Sequence, residues 1–234
     1  MEFNQEQSKE FKECVKRSLS PHVNQAWLDS LQLLNITPSK VILGGIAHKI
    51  YRYGIKTNHE SLLKKILDEF DDSRIRFFWQ EGSGSPANPR NQGIIKSRGV
   101  WISFLDSDDK WYPEKLESVY DKIKVSSNAD VICHDERMVN TTYQKTKHIS
   151  HSRKSNDMYK SMLLDGNFLS PSATSIRKSF LSKNELFFNE SSDFATVEDY
   201  DLWLHLAKNG AVITFIKRTL SDYVVDGGNM ISDL

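Results

Sequence analysis

Apolar residues follow two alternating rhythms along this chain. Short apolar runs at 14–20 (ended by Pro21), 41–43 (followed by Gly44 and Gly45), 74–79, 100–105, 129–133, 172–176 and 212–216 predict strands. Between them, Trp27, Leu28 and Leu31 recur at helical spacing, as do Leu62, Leu63, Ile66, Leu67 and Phe70. A short helix is expected around Ile94 and Ile95, closed by Gly99. Pro113 suits the start of a helix whose apolar stripe is Leu116, Val119, Tyr120 and Ile123, because its missing N–H would be unpaired there anyway. A last helix over 199–209 turns Leu202, Trp203, Leu206 and Ala207 inward and stops at Gly210. Strand and helix in alternation predict an α/β fold, a mostly parallel mixed sheet flanked by helices. The segment EGSGSPANPRNQG is a loop, residues 141–159 are polar, basic and weakly periodic and predict a long loop, and residues 220–234 form a mixed tail.

Composition adds bounds. A chain of 234 residues that is 38% hydrophobic and 26% charged fits a single globular domain with a real core. Thirty-one basic and 31 acidic residues cancel, so no global electrostatic case exists for nucleic acid. Cys14 and Cys133 are far apart in apolar-leaning contexts and are expected as reduced thiols. The polar start MEFNQEQSKEFKE does not read as a signal peptide, and no apolar run approaches the roughly 18 residues of a membrane span. The expectation is a cytoplasmic protein whose membrane contact is at most peripheral, at the inner face.

The chemistry concentrates in VWISFLDSDDKWYPEKLE. An apolar strand runs straight into Asp106, Ser107, Asp108 and Asp109, and α/β sheets bind ligands at the carboxyl ends of strands. In an extended backbone Asp106 and Asp108 share a side. Two carboxylates about 4 Å apart repel by about 4 kcal/mol at an effective dielectric near 20. A hard divalent cation, Mg2+ or Mn2+, would remove that cost, and a diphosphate would complete its shell. A solvated acidic turn is the competing reading, with Asp109 favouring the next helix N-terminus.

The segment PRNQGIIKSRGVWISFLDSDDKWYPEKLE resembles family 2 glycosyltransferases, inverting enzymes of the GT-A fold. Their pattern runs Arg-Asn-x-Gly, helix, Gly, strand, Asp-x-Asp-Asp, Trp and a Pro-Glu-Lys-Leu helix. The string Glu198-Asp199-Tyr200-Asp201-Leu202-Trp203-Leu204 matches a second family motif. A weaker third match lies in LSDYVVDGGNMIS. The resemblance covers roughly residues 60–232. It implies a metal-dependent transfer of sugar from a nucleoside-diphosphate sugar to a hydroxyl of a saccharide or lipid-linked saccharide, in bacterial surface polysaccharide such as lipopolysaccharide or capsule. Asp199 would be the general base with Glu198 as helper or runner-up. Arg90 and Asn91 would lie near the nucleotide, Asp106 and Ser107 would contact the sugar-nucleotide, and Asp108 would ligate the metal with Asp106. The same resemblance divides one domain into a nucleotide-sugar-binding part, about residues 1–135, and an acceptor-binding part, about 136–234.

The N-terminal part departs from the pattern. LSPHVNQAWL keeps Pro21 and Asn24 of the family's first nucleotide-contacting segment, with Val23 in place of the aromatic. The acidic motif expected after the strand at 41–43 is replaced by Gly44-Gly45-Ile46-Ala47. That loss motivates an alternative, an inactive relative acting as a binding or scaffold protein. A nucleotidyltransferase would want a Gly-rich basic N-terminal loop, which is absent. Asp226 occupies the place of a family metal-binding His, as a third metal ligand or as an exposed turn residue before Gly227. Trp101, Trp111, Trp203, Phe77 and Phe104 read mainly as core, with Trp111 the one that could instead stack on a base or sugar ring. His148 and His151 lie in a basic run with Lys145, Lys147, Arg153 and Lys154, which reads as a solvated loop or as a surface meeting an anionic acceptor. His134, between a buried strand and Asp135, reads as a satisfied structural histidine or as a residue lining the acceptor side.

Overall fold

The computed structural model describes Arg76, Phe78, residues 85–106 and residues 108–225. The elements expected before residue 74 lie outside the described residues, as do Cys14, Pro21, Asn24, Ser107 and Asp226; of the run at 74–79 only Arg76 and Phe78 are described.

The described chain opens with α1 (Ala87–Lys96), where Pro86 and Pro89 fall before and within the first turn, the place that tolerates a missing N–H. It continues through β1 (Trp101–Ser103), β2 (Lys110–Trp111), α2 (Lys115–Val125), β3 (Val131–Asn140), β4 (Lys145–Ile149), α3 (Met158–Asp165), β5 (Thr174–Arg177), α4 (Lys178–Lys183), α5 (Glu198–Lys208) and β6 (Ile213–Val225). Gly210 adopts φ +79° just beyond α5, the left-handed turn that ends the helix as expected.

The sheet runs β1-β5-β3-β6-β2, with β4 also pairing β3. The β3–β6 pair is parallel, and the β1–β5, β3–β5, β3–β4 and β2–β6 pairs are antiparallel. The sheet is therefore mixed, as expected, but antiparallel pairs dominate among the described residues. β3 is the central strand, and its first six residues are all buried. Val131 and Cys133 enter one core with Leu202, Trp203 and Leu206 of α5 and Met162 of α3. Ile132 packs on the other face with Val119 of α2. Burial of Leu202 and Leu206 contributes about 1.5–3 kcal/mol each.

Four expected elements are corrected, the first being the loop expected at EGSGSPANPRNQG, which is helical from Ala87 onward. The strand expected at 129–133 runs on to Asn140, and the strand expected at 212–216 runs on to Val225, because the two pair along their full length. Backbone hydrogen bonds hold the polar stretch after Cys133 extended where its apolar signal has ended. Residues 141–159 are not one long loop. Lys145–Ile149 folds back on β3 as an edge strand, through a turn with Gln144 at φ 50°. Its side chains are almost all exposed, so no alternation marked it. A break in the β3–β6 ladder lies between His134 and Glu136, where Ile216 pairs with His134 and Thr219 with Asp135, leaving Lys217 and Arg218 outside the register. Bulges of this kind re-aim side chains beside functional sites.

Candidate active site

Asp106 leaves the end of β1 after Phe104, which lies in the core. Its N–H donates to Ser172 Oγ at 3.0 Å, and Asp109 N–H closes a turn onto Asp106 O at 3.1 Å. Ser172 is fully buried and also accepts Trp111 Nε1–H on its carbonyl at 2.7 Å. One serine before β5 therefore fixes both ends of the acidic turn, a role no motif in the sequence signalled.

Arg90, from the first turn of α1, donates from Nη2 to both carboxylate oxygens of Asp106, at 2.8 and 2.9 Å. Its Nη1 donates to Glu198 Oε1 at 2.7 Å. The two motifs, 92 residues apart in sequence when counted from Asp106 to Glu198, are thus tied through one guanidinium. The pairing with Asp106 and Glu198 holds the Arg90 pKa above its ordinary value despite burial. Phe188 underlies the guanidinium, its ring centre 5.2 Å from Cζ. Phe188 is itself edge-on to Phe104 and Trp203, with centroids 5.3 and 6.0 Å apart. This aromatic file connects the mouth of β1 to α5 and sets where Arg90 sits.

Glu198 and Asp199 open α5. Glu198 is buried, and its Oε2 has no hydrogen-bond partner among the described residues. Asp199 is half-buried; it accepts Tyr200 N–H on Oδ1 at 2.7 Å, and Asn167 Nδ2 lies 3.5 Å from Oδ2. Burial, with the charges of Glu198 and Asp106 behind it, pushes the Asp199 carboxyl up to about 6, against the opposing pull of Arg90 and the Tyr200 N–H. A carboxylate titrating there is matched to proton transfer near neutral pH. Glu198 is committed to Arg90, whereas Asp199 is not hydrogen-bonded to it.

Two nucleotide-contact expectations meet a different setting. Asn91 is buried, and its amide donates to Phe188 O and Glu190 Oε1, both at 2.8 Å, while its Oδ1 accepts Phe188 N–H at 2.8 Å. It pins the Phe188 segment to α1. Trp111 is buried, and Lys115 Nζ stands 3.6 Å above its ring, so that face is covered and does not offer a stacking platform. Stacking needs an open ring face, and Trp111 is only 8% exposed.

The expected metal pair is also modified. Arg90 already neutralises Asp106, so the repulsion invoked from sequence has a protein cation as part of its answer. Among the described residues no group of three or more His, Cys, Asp or Glu side chains is placed to hold a metal ion. The local chemistry nevertheless suits a hard cation completed by a ligand's own oxygens. Asp109 is pushed well above the usual carboxylate range by burial and by Asp106, with Asp108 and Glu136 adding to it. Tyr223 is pushed up to about 12 by burial and by the same acids. That is a field in which one more positive charge is favourable.

A polar layer lies beside the turn. His134 is fully buried, with Nδ1–H on Asp135 O at 2.9 Å and no partner for Nε2 among the described residues, and burial and Lys115 lower it to about 3. His151 Nε2 meets Glu136 Oε2 at 2.9 Å and its Nδ1 meets Phe168 O at 2.7 Å, so it too is fixed inside the fold rather than free on a loop. Cys133 is a buried free thiol. No helix among the described residues is long and apolar enough to cross a membrane.

Comparison with known proteins bears on this arrangement. The sequence model described as glycosyl transferase family 2 matches residues 57–184. The chain is 38% identical over 56 residues to the putative teichuronic acid biosynthesis glycosyltransferase TuaG of Bacillus subtilis, covering 23% of this chain and 22% of that protein. It is 45% identical over 53 residues to an Escherichia coli protein, the UDP-Glc:alpha-D-GlcNAc-diphosphoundecaprenol beta-1,3-glucosyltransferase WfgD, covering 23% and 21%. The structure of S. aureus TarS 1-349 in complex with UDP-GlcNAc superimposes with a TM-score of 0.54 at 19% identity, covering 76% of this chain and 49% of that one. The matches thus span under a quarter of those two relatives and about half of the TarS chain. The TarS likeness supports the GT-A-like α/β fold.

Proposed function

Because the chain belongs to glycosyl transferase family 2, we propose that it transfers a sugar from a nucleoside-diphosphate sugar to a hydroxyl of a saccharide or lipid-linked saccharide, with inversion, in the assembly of a bacterial surface polysaccharide. The observation that carries this is Arg90 joining Asp106 to Glu198 beside Asp199 with its carboxyl at about 6. In this reading Asp106 serves the donor and Asp199 the acceptor, and the Arg90 link between Asp106 and Glu198 supports their acting together. The names of TuaG and WfgD support the polysaccharide setting.

In this reading Asp199 takes the proton of the acceptor hydroxyl as its oxygen bonds to the anomeric carbon. The bond from that carbon to the diphosphate oxygen breaks on the opposite face. A positioned carboxylate of this kind accelerates transfer about 10²–10⁴-fold. Arg90 holds Asp106 and Glu198 in register, so that donor and base stay aligned. Asp108 would hold a Mg2+ or Mn2+ ion, with Asp226 as a further ligand from outside the described residues; the ion would neutralise charge on the departing nucleoside diphosphate. The part up to about residue 135 serves the donor and the part from about 136 serves the acceptor, within one domain.

The test is nucleotide release measured over a panel of nucleotide-sugars with and without Mn2+. Release from at least one donor, abolished by Asp108→Ala, is expected. No release from any donor, with or without metal, would favour the scaffold alternative.

A further inference from the structure

A second candidate site is a cleft of about 340 Å³ lined by Arg153, Lys154 and Lys217, by Ser150 and Ser152, and by Asp135 and Phe215. It falls at the lower end of the size range of small-ligand sites.

Its charge is unbalanced and partly preorganised. Among the described residues, no carboxylate forms an ion pair with Arg153, Lys154 or Lys217. Arg153 is held instead by groups that leave its charge intact. Its Nη1 donates to Ser150 O and Ser152 O at 3.2 and 3.1 Å, and its guanidinium lies 5.0 Å from the Phe168 ring centre. Asp135, the one acid in the cleft, already accepts His151 N–H at 2.9 Å and lies 3.6 Å from His148 Nε2. Ser152 Oγ is buried without a hydrogen-bond partner, a group that costs stability unless a ligand meets it. Lys217 is delivered to the cleft by the β3–β6 irregularity, which lifts it out of the strand register. A chain of contacts runs from the cleft towards Asp199: Arg153 lies over Phe168, and the preceding residue, Asn167, has its Nδ2 3.5 Å from Asp199 Oδ2.

We propose that this cleft binds a phosphoryl group of the acceptor, the phosphate or diphosphate that joins the acceptor saccharide to its carrier. The assignment rests on the acceptor-side reading of Asp199 above. Three cations, two hydroxyls and an open mouth suit a tetrahedral polyanion, and Arg153 supplies planar paired donors for its oxygens.

The experiment is equilibrium binding of three probes to the full chain in metal-free buffer: inorganic pyrophosphate, farnesyl diphosphate and farnesol. Phosphatidylglycerol vesicles form a fourth arm, and UDP binding with Mn2+ is followed in parallel. Both soluble diphosphates are expected to bind saturably and farnesol not to bind. The double reversal Lys154→Glu/Lys217→Glu, both side chains exposed, should weaken diphosphate binding about ten-fold or more while leaving UDP binding unchanged. Lys154→Gln alone serves if the double variant does not fold, with a smaller loss in the same direction. Unchanged diphosphate affinity in the variants overturns the proposal, as does equal binding of farnesol. Vesicle binding without saturable binding of soluble diphosphate overturns it in favour of surface adsorption. Loss of UDP binding in the wild-type chain would count against the transferase reading alone, since the diphosphate arms read the cleft without turnover.

Discussion

Replacing Asp199 by Asn should stop transfer and make the protein more stable at the same time. The folded protein holds the Asp199 carboxyl at about 6, against 3.8 for an ordinary aspartate. Its ionised form is therefore disfavoured by folding. The cost is absent below pH 3.8, grows as pH rises and is complete above about 6. At about 1.36 kcal/mol per tenfold in the constant, it amounts to about 3 kcal/mol. Asp199 is only half-buried, so solvent screening reduces this to about 2 kcal/mol. Asn also forgoes a favourable charge at the α5 N-terminus, worth about 0.3–1 kcal/mol. It keeps the acceptor for Tyr200 N–H. The net expectation is a gain of about 1–2 kcal/mol at pH 8, or roughly 2–6 °C in Tm for a chain of this size. At pH 4.5 the titration part of the gain shrinks to about a third. Thermal unfolding at the two pH values reads the stability, and donor binding with single-turnover transfer reads the chemistry. Binding should persist while transfer falls about 10²–10⁴-fold. A Tm that drops at pH 8, or a difference that does not depend on pH, would refute the assignment of a buried, destabilised base.

Arg90→Met removes the cation between Asp106 and Glu198 and should cost about 3 kcal/mol of stability by urea unfolding, since breaking a buried pair strands a charge. It should also move the acid limb of kcat/KM above about 6, because Arg90 is what pulls Asp199 down. Asn91→Ala leaves Phe188 N–H and C=O without their partners and should cost about 1–3 kcal/mol, with donor affinity changed far less; a donor Kd that worsens at full stability would return Asn91 to the nucleotide site. Lys115 is fully buried, and burial lowers it from 10.5 to about 7. The fold binds fewer protons there than the unfolded chain, so wild-type stability should rise between about pH 7 and 10.5. Lys115→Met should flatten that rise, by about 5 kcal/mol across the window at about 1.36 kcal/mol per tenfold, and an unchanged slope in urea midpoints would show that Lys115 is not its source.

What the sequence revealed depended on whether the relevant residues were contiguous. The acidic turn and the Glu198–Asp199 pair could each be read because a strand or helix carries its chemistry in one short string. The link between them could not, since Arg90 reaches 16 residues to Asp106 and 108 to Glu198. For the same reason the Arg90 guanidinium that faces Asp106 carries no signal in the sequence beside the acids themselves. Ser172 and the Lys217 bulge escaped notice because a serine before a strand and a lysine on one carry no pattern of their own. The extended halves of β3 and β6 are held by backbone pairing, to which side-chain periodicity is blind.

The base itself shows how two sound local arguments can oppose each other. Its position at a helix N-terminus predicts a carboxylate favoured in its ionised form, by about 0.3–1 kcal/mol. Burial beside Glu198 and Asp106 acts the other way and is larger, since the carboxyl stands at about 6 even with Arg90 opposing the rise. Secondary structure alone would have made Asp199 a weaker base than an ordinary aspartate; tertiary packing makes it a stronger one. On the proposed reading, the direction of that balance, more than the presence of an acid at this position, would equip Asp199 to accept a proton near neutral pH.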